Sequence, residues 1–268
     1  MIGTPPVQFS EPRIRLTRAI KRVIWPHPLL YFPVGMLRRR GNVLDTNWDL
    51  YMGGYPRSAN TFARVAFLSA NPKVRAHTHR HVPTFVLHMM DCGIPGLVLI
   101  RKPLDASVSL AIFENWSLER AVSYWNDYYE TLLPVRSELF LARFEDVTKD
   151  FGAVMAAFNK RWGTPYETFK HTIENAAHCF RVTEDEARCR DGEVLEAHVC
   201  RPSRWRANVK EACLGQLNQS DFLQEELARA NELYDLFVNG QPKEQRQPAT
   251  EPARELPGNI FEAQTAAA

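Results

Sequence analysis

Along the middle of the chain, short apolar runs alternate with longer stretches whose apolar positions recur every three or four residues. The short runs are LYMGGY (50–55), KVRAH (73–77), GLVLI (96–100) and LFLARF (139–144). Their length and apolar character suit strands. Helical spacing predicts helices over 58–70, 82–92, from about 104, over 118–137, 148–162 and 216–237. Strands that alternate with helices call for right-handed crossovers and a parallel sheet with helices on both faces. The expectation is an α/β fold, a P-loop-like three-layer sandwich, over residues 43–240. Residues 165–210 break the pattern: they are rich in charge and read as irregular. The tail 241–268 and about the first twelve residues are polar, proline-rich and without periodicity, and are expected to be disordered.

Charge changes the picture at one end only. The 268 residues carry a net charge of +2 and are 45% hydrophobic, which gives a sizeable core and no bulk attraction for nucleic acid. Yet Arg13, Arg15, Arg18, Lys21, Arg22, Arg38, Arg39 and Arg40 follow one another with no acidic residue between them. Such an arm (1–42) favours an anionic partner or a membrane surface, or is a solvated basic face. The apolar stretch 23–37 inside it is too short to span a bilayer and carries Pro26, Pro28 and Pro33. It lacks a small-residue cleavage site and is read as no secretion signal. Peripheral membrane contact and packing of the arm on the core both remain open, with packing favoured. The five cysteines form no C-x-x-C pair, so free thiols in a reducing cytoplasm are expected rather than zinc.

Two loops carry the candidate chemistry, and both follow strands and open helices, where α/β sheets bind ligands. In GGYPRSANT, Gly53 and Gly54 permit close backbone approach, while Arg57, Ser58, Asn60 and Thr61 offer donors beside a helix N-terminus. The loop suits a phosphate or a sulfate; it could equally be a plain turn capped by Ser58. It lacks the Gly-Lys-Ser/Thr of an ATP loop. In LIRKPLDASVSL, Arg101 closes a strand, Pro103 fits the first helical turn, and Ser107 and Ser109 lie further along. Arg101 and Ser109 can converge on one anion; the plainer account makes Asp105 a helix cap and Arg101 a surface charge.

Taken in order, YPRSANTF and RKPLDASVS resemble the cofactor-binding motifs of the sulfotransferase family that uses 3′-phosphoadenosine 5′-phosphosulfate (PAPS). The first matches the strand–loop–helix that holds the 5′-phosphosulfate, departing at Ala59, where glycine is usual. The second matches R-x-P-x-D-x-x-x-S, which grips the 3′-phosphate through Arg101 and Ser109. RFEDVTKDFGAVMAAFNKRWG is similar to a downstream strand–helix element of the same family, with Phe144 and Trp162 as departures. The resemblance implies that residues 57–62 (Arg57, Ser58, Ala59, Asn60, Thr61, Phe62) bind the donor. Arg57 faces the leaving phosphate and Phe62 stacks on adenine, although its helical spacing also suits a core position. It implies no metal, because the moving sulfuryl group carries less charge than a triphosphate.

The resemblance also implies a histidine base, and RAHTHRHVP offers three in alternation, His77, His79 and His81. His79 fills the family's position and is the leading candidate, with His77 in place of a lysine. The basic segment CRPSRWRANVK is similar to the family loop that closes over the 3′-phosphate. Its glycines are missing, and Arg201, Arg204, Trp205 and Arg206 are the residues that would act. Trp125, in the aromatic helix stretch, reads as core rather than substrate platform. The expected activity is sulfuryl transfer from PAPS to the hydroxyl of a small-molecule, lipid-linked or glycan acceptor. A magnesium-dependent small-molecule kinase and a polyanion-binding protein are the competing classes.

Overall fold

The computed structural model describes residues 11–37, 47–78, 80–192, 208–211, 214–215 and 220–240. Its centre is a four-stranded sheet in the order β2-β1-β3-β4, all parallel. The strands are β1 (Leu50–Gly54), β2 (Ala76–His77), β3 (Gly96–Ile100) and β4 (Phe140–Arg143). All four lie within the predicted apolar runs.

Side-chain alternation along the strands explains the layers. Leu50 and Met52 of β1 and Leu97 and Leu99 of β3 enter one apolar core, with Phe67, Phe151 and Phe158. Tyr51, Val98 and Ile100 point the other way, into a second core with Trp125, Tyr129 and Phe237. Both faces are therefore covered, as a parallel sheet requires. The first core is closed by α3 (Asn60–Ala70), α8 (Phe151–Trp162) and α9 (Ile173–Asp191), and the second by α4 (Pro83–Asp91), α5 (Pro103–Glu114), α6 (Leu118–Leu132) and α10 (Asp221–Val238). Two phenols pin α6 to its surroundings: Tyr129 donates to the Leu99 carbonyl and Tyr55 to that of Ala121, each at 2.8 Å. Trp125 is wholly buried, as expected.

Two expectations are corrected. Residues 165–210 are not irregular throughout, because α9 runs for 19 residues within them. The Thr172 hydroxyl caps it by accepting from the Asn175 N–H, and only a thin stripe, Cys179, Thr183 and Ala187, is buried. The helix predicted over 148–162 is two helices, α7 (Phe144–Lys149) and α8, broken where Asp150 becomes the cap of the second. The arm is also helical, as α1 (Glu11–Ile24) and α2 (Pro28–Leu37), with Pro33 inside the latter.

The arm packs on the domain, which answers the charges of Arg18, Lys21 and Arg22. Arg18 reaches Glu226 at 2.5 Å, Glu130 at 3.0 Å and Asp127 at 3.1 Å. Lys21 pairs with Asp127 at 3.0 Å and Arg22 with Glu130 at 3.1 Å. Burial pushes the Glu226 carboxyl up, but hydrogen bonding from Asn126 and the charge of Arg18 outweigh it and hold the group below its usual range. No helix among the described residues is long and apolar enough to cross a membrane.

Candidate functional site

The sheet order puts a topological switch between β1 and β3. The chain leaves β1 toward β2 on one side and leaves β3 toward β4 on the other, and the crevice beyond such strands' carboxyl ends is where open α/β sheets bind ligands. Gly54 and Leu99 are register partners there. A Cβ on Gly54 would lie 2.3 Å from the Leu99 carbonyl oxygen, so the strands meet this closely only with glycine.

Residues 55–59 turn from β1 into α3 through two left-handed positions, Arg57 (φ 67°) and Ala59 (φ 70°). Ala59 occupies the conformation that glycine adopts without strain, at a cost of about 1 kcal/mol. It stands at the helix N-cap and offers no side-chain acceptor. Asn60 folds back to donate from Nδ2 to the Tyr55 carbonyl at 2.9 Å, which fixes the loop. Ser58 is not the cap: the residue is fully buried, with its side chain beside the Tyr129 phenol. Thr61 is half-buried in the first turn of α3.

The two loops meet through their arginines. Arg57 Nε donates to Ser109 Oγ at 3.1 Å, and Arg101 Nη1 donates to the Arg57 carbonyl at 3.0 Å. Arg57 lies over the Phe113 ring at 4.8 Å and Arg101 over Phe144 at 4.0 Å, so the flat guanidinium faces are shielded. Burial lowers the pKa of Arg101; Asp105 opposes this and Arg57 adds to it. Two cations thus press on each other in a crevice between strand ends. Asp105 is not the cap of α5. That position is Lys102, and Asp105 instead pairs with Lys210. Arg201, Arg204, Trp205 and Arg206, just upstream of Lys210, lie outside the described residues, as does His79.

Of the two described histidines of the HTHRH segment, His81 is the one at the end of β1. Its Nδ1 lies 2.9 Å from the Gly54 carbonyl oxygen. A carbonyl only accepts, so Nδ1 carries the proton and, in the neutral ring, Nε2 holds the lone pair. Burial lowers the His81 pKa; the bond to Gly54 opposes this, and Arg57 reinforces it. The Tyr124 hydroxyl donates to the His81 carbonyl at 2.5 Å and steadies the segment. His77 is instead packed among Trp48, Tyr51 and Phe85. The sequence pattern flagged all three histidines but could not say which one the chain would aim at the end of β1.

Phe62 does not offer a face to a ligand. It is buried against Phe169, His171 and Phe180 and belongs to the core between α3 and α9. No protein-family model, curated protein or solved structure matches the chain.

Proposed function

We propose that the protein is a PAPS-dependent sulfotransferase built on a P-loop-like core. The observation that carries this reading is the junction of the two motifs. Arg57 is bonded to Ser109 and Arg101 to the Arg57 backbone, at the carboxyl ends of adjacent strands. A donor with a phosphosulfate at one end and a 3′-phosphate at the other requires two such anion grips held in fixed relation. The residues present fit it: two mutually repelling guanidinium groups and a helix start without a side-chain cap favour bound negative charge.

The donor supplies an activated sulfuryl group on a good leaving phosphate. Arg57 and the first-turn amides of α3 would carry the charge that develops on that phosphate. Arginine keeps its proton, so Arg57 acts as an electrostatic clamp and not as an acid. Arg101 and Ser109 would hold the 3′-phosphate. We assign the base to His81 on its tautomer and position. As the acceptor oxygen forms its bond to sulfur and the bond from sulfur to the bridging oxygen breaks, Nε2 takes the hydroxyl proton. The products are a sulfate ester and adenosine 3′,5′-bisphosphate.

Calorimetric titration with adenosine 3′,5′-bisphosphate in EDTA tests the donor site. Binding that is unchanged by magnesium is expected. Binding of ATP alone, and only with magnesium, would mean a kinase instead. A screen of hydroxyl acceptors with radiolabelled PAPS then tests transfer itself.

A further inference from the structure

Helix α1 has two unlike sides. Ile14 and Arg18, with Trp25 just beyond the helix end, are buried against the domain. Leu16, Ile20 and Val23 point away from it and are exposed at 63%, 51% and 61%. With 3.6 residues per turn these three fall within about 60° of one another, opposite the buried side. Across the turn, α2 adds Leu29 and Leu30, exposed at 88% and 49%. Single exposed aliphatic residues are ordinary, but five on one helix pair, three of them on one helix face, call for an occupant.

The charges around the patch select the occupant. Between Glu11 and Asp45 the sequence has no acidic residue. Arg13, Arg15 and Arg22 are exposed along α1, and Arg38, Arg39 and Arg40 follow α2 in the chain. Arg15 pairs with Glu11 and Arg22 with Glu130. The first pair is exposed at both ends, so it is weak and readily gives way to lipid phosphate; in the second, Glu130 is mostly buried and Arg22 keeps an exposed outer edge. A second copy of this face would set arginine against arginine.

We propose that the outer face of α1 and α2 docks on an anionic lipid surface. Leu16, Ile20, Val23, Leu29 and Leu30 enter the boundary between headgroups and acyl chains, and Arg13, Arg15 and Arg22 sit at the phosphates. The inner side of the same helix pair leads to the candidate base. Trp25 accepts a hydrogen bond from Thr84 at 2.8 Å, and Lys21 lies 4.7 Å from the Tyr124 ring, whose hydroxyl holds the His81 carbonyl. A docked bilayer therefore rests on the helix pair that buttresses the His81 segment. The docking does not depend on the reaction proposed above.

Flotation of the full chain with phosphatidylcholine vesicles, with and without phosphatidylglycerol, is the test. The protein should float with the anionic vesicles, and added salt should weaken this. The triple variant Leu16→Glu, Ile20→Glu, Val23→Glu should lose roughly tenfold or more of its partitioning at an unchanged melting temperature. The pair Leu29→Glu, Leu30→Glu on the other helix should show the same direction of change. Failure of the parent chain to float, or flotation of the triple variant like the parent, overturns the proposal. So does a dimer in light scattering that the triple variant converts to monomer, because a second copy would then cover the face.

Discussion

The molecule sequesters arginine in two places, and it treats them oppositely. Beneath α1, Arg18 meets Glu226, Glu130 and Asp127 together. Burial would lower its pKa, but the three carboxylates reverse that and raise it. At the strand ends, Arg101 donates to a carbonyl and rests on an aromatic ring, and burial, with Arg57 nearby, leaves its pKa lowered. The first arrangement is complete in itself and locks helices together. In the second, Asp105 and Glu145 do not offset the burial of Arg101, which suits the anion site proposed above. Residue type and burial do not separate structure from function here; the balance of charge does.

Four changes test that contrast. The largest concerns His81, which belongs to the site and not to the lock. His81→Asn keeps a donor for the Gly54 carbonyl but removes the basic nitrogen, so turnover should fall by roughly 10²–10⁴-fold. Binding of adenosine 3′,5′-bisphosphate should persist, and full turnover would return the role of base to His79. The pH behaviour follows from the lowered pKa of His81. The folded state resists protonation, so between the unfolded value near 6.5 and the lower folded value the unfolded chain binds more protons. Its contribution to stability is present above about pH 6.5 and is lost as pH falls through that window. The acid limb of activity should accordingly lie below pH 6.5, and a limb above it would contradict the assignment.

Next is Arg18→Met, which takes the cation from the buried Glu226 while Lys21 and Arg22 stay on Asp127 and Glu130, and should cost about 3–5 kcal/mol in urea unfolding while leaving nucleotide affinity under native conditions unaltered. Arg101→Ala should do the reverse. Nucleotide affinity should weaken by about 1–3 kcal/mol for the lost charge-assisted contact, with no comparable loss in urea. A drop in stability as large as that of Arg18→Met would erase the distinction between the two regions. The smallest effect is expected from Ala59→Gly, which relieves a left-handed backbone and should stabilise the fold by up to about 1 kcal/mol, read as a rise in melting temperature.

Much of the sheet was legible because buried strands are short, apolar and bounded by turns, as LYMGG and GLVLI illustrate. The meeting of Arg57, Arg101 and Ser109 was legible as well, since strand-end loops in a parallel sheet share one edge. What escaped was decided by partners distant in the chain. Arg18, Lys21 and Arg22 read as a basic arm because Asp127, Glu130 and Glu226 lie more than a hundred residues away. Helix α9 escaped because its buried stripe is made of small residues, which carry little hydrophobic signal. Prolines hid α2. Phe62 sits at a position that suits both a ligand platform and a core, and only the arrival of Phe169 and Phe180 settles it as core. Nor does the alternation of the histidines tell that His77 packs among aromatic rings while His81 meets Gly54.

The bond between Arg18 and Glu226 also sets an order of events during synthesis. The two residues are 208 positions apart, which at typical translation speeds of about 5–20 residues per second is a delay on the order of 10–40 s. Asp127 and Glu130 emerge midway and can hold α1 provisionally. The third carboxylate arrives only with α10, so α1 is fully fastened more than two hundred residues after it is made, and a chain halted before residue 226 would lack the Glu226 latch.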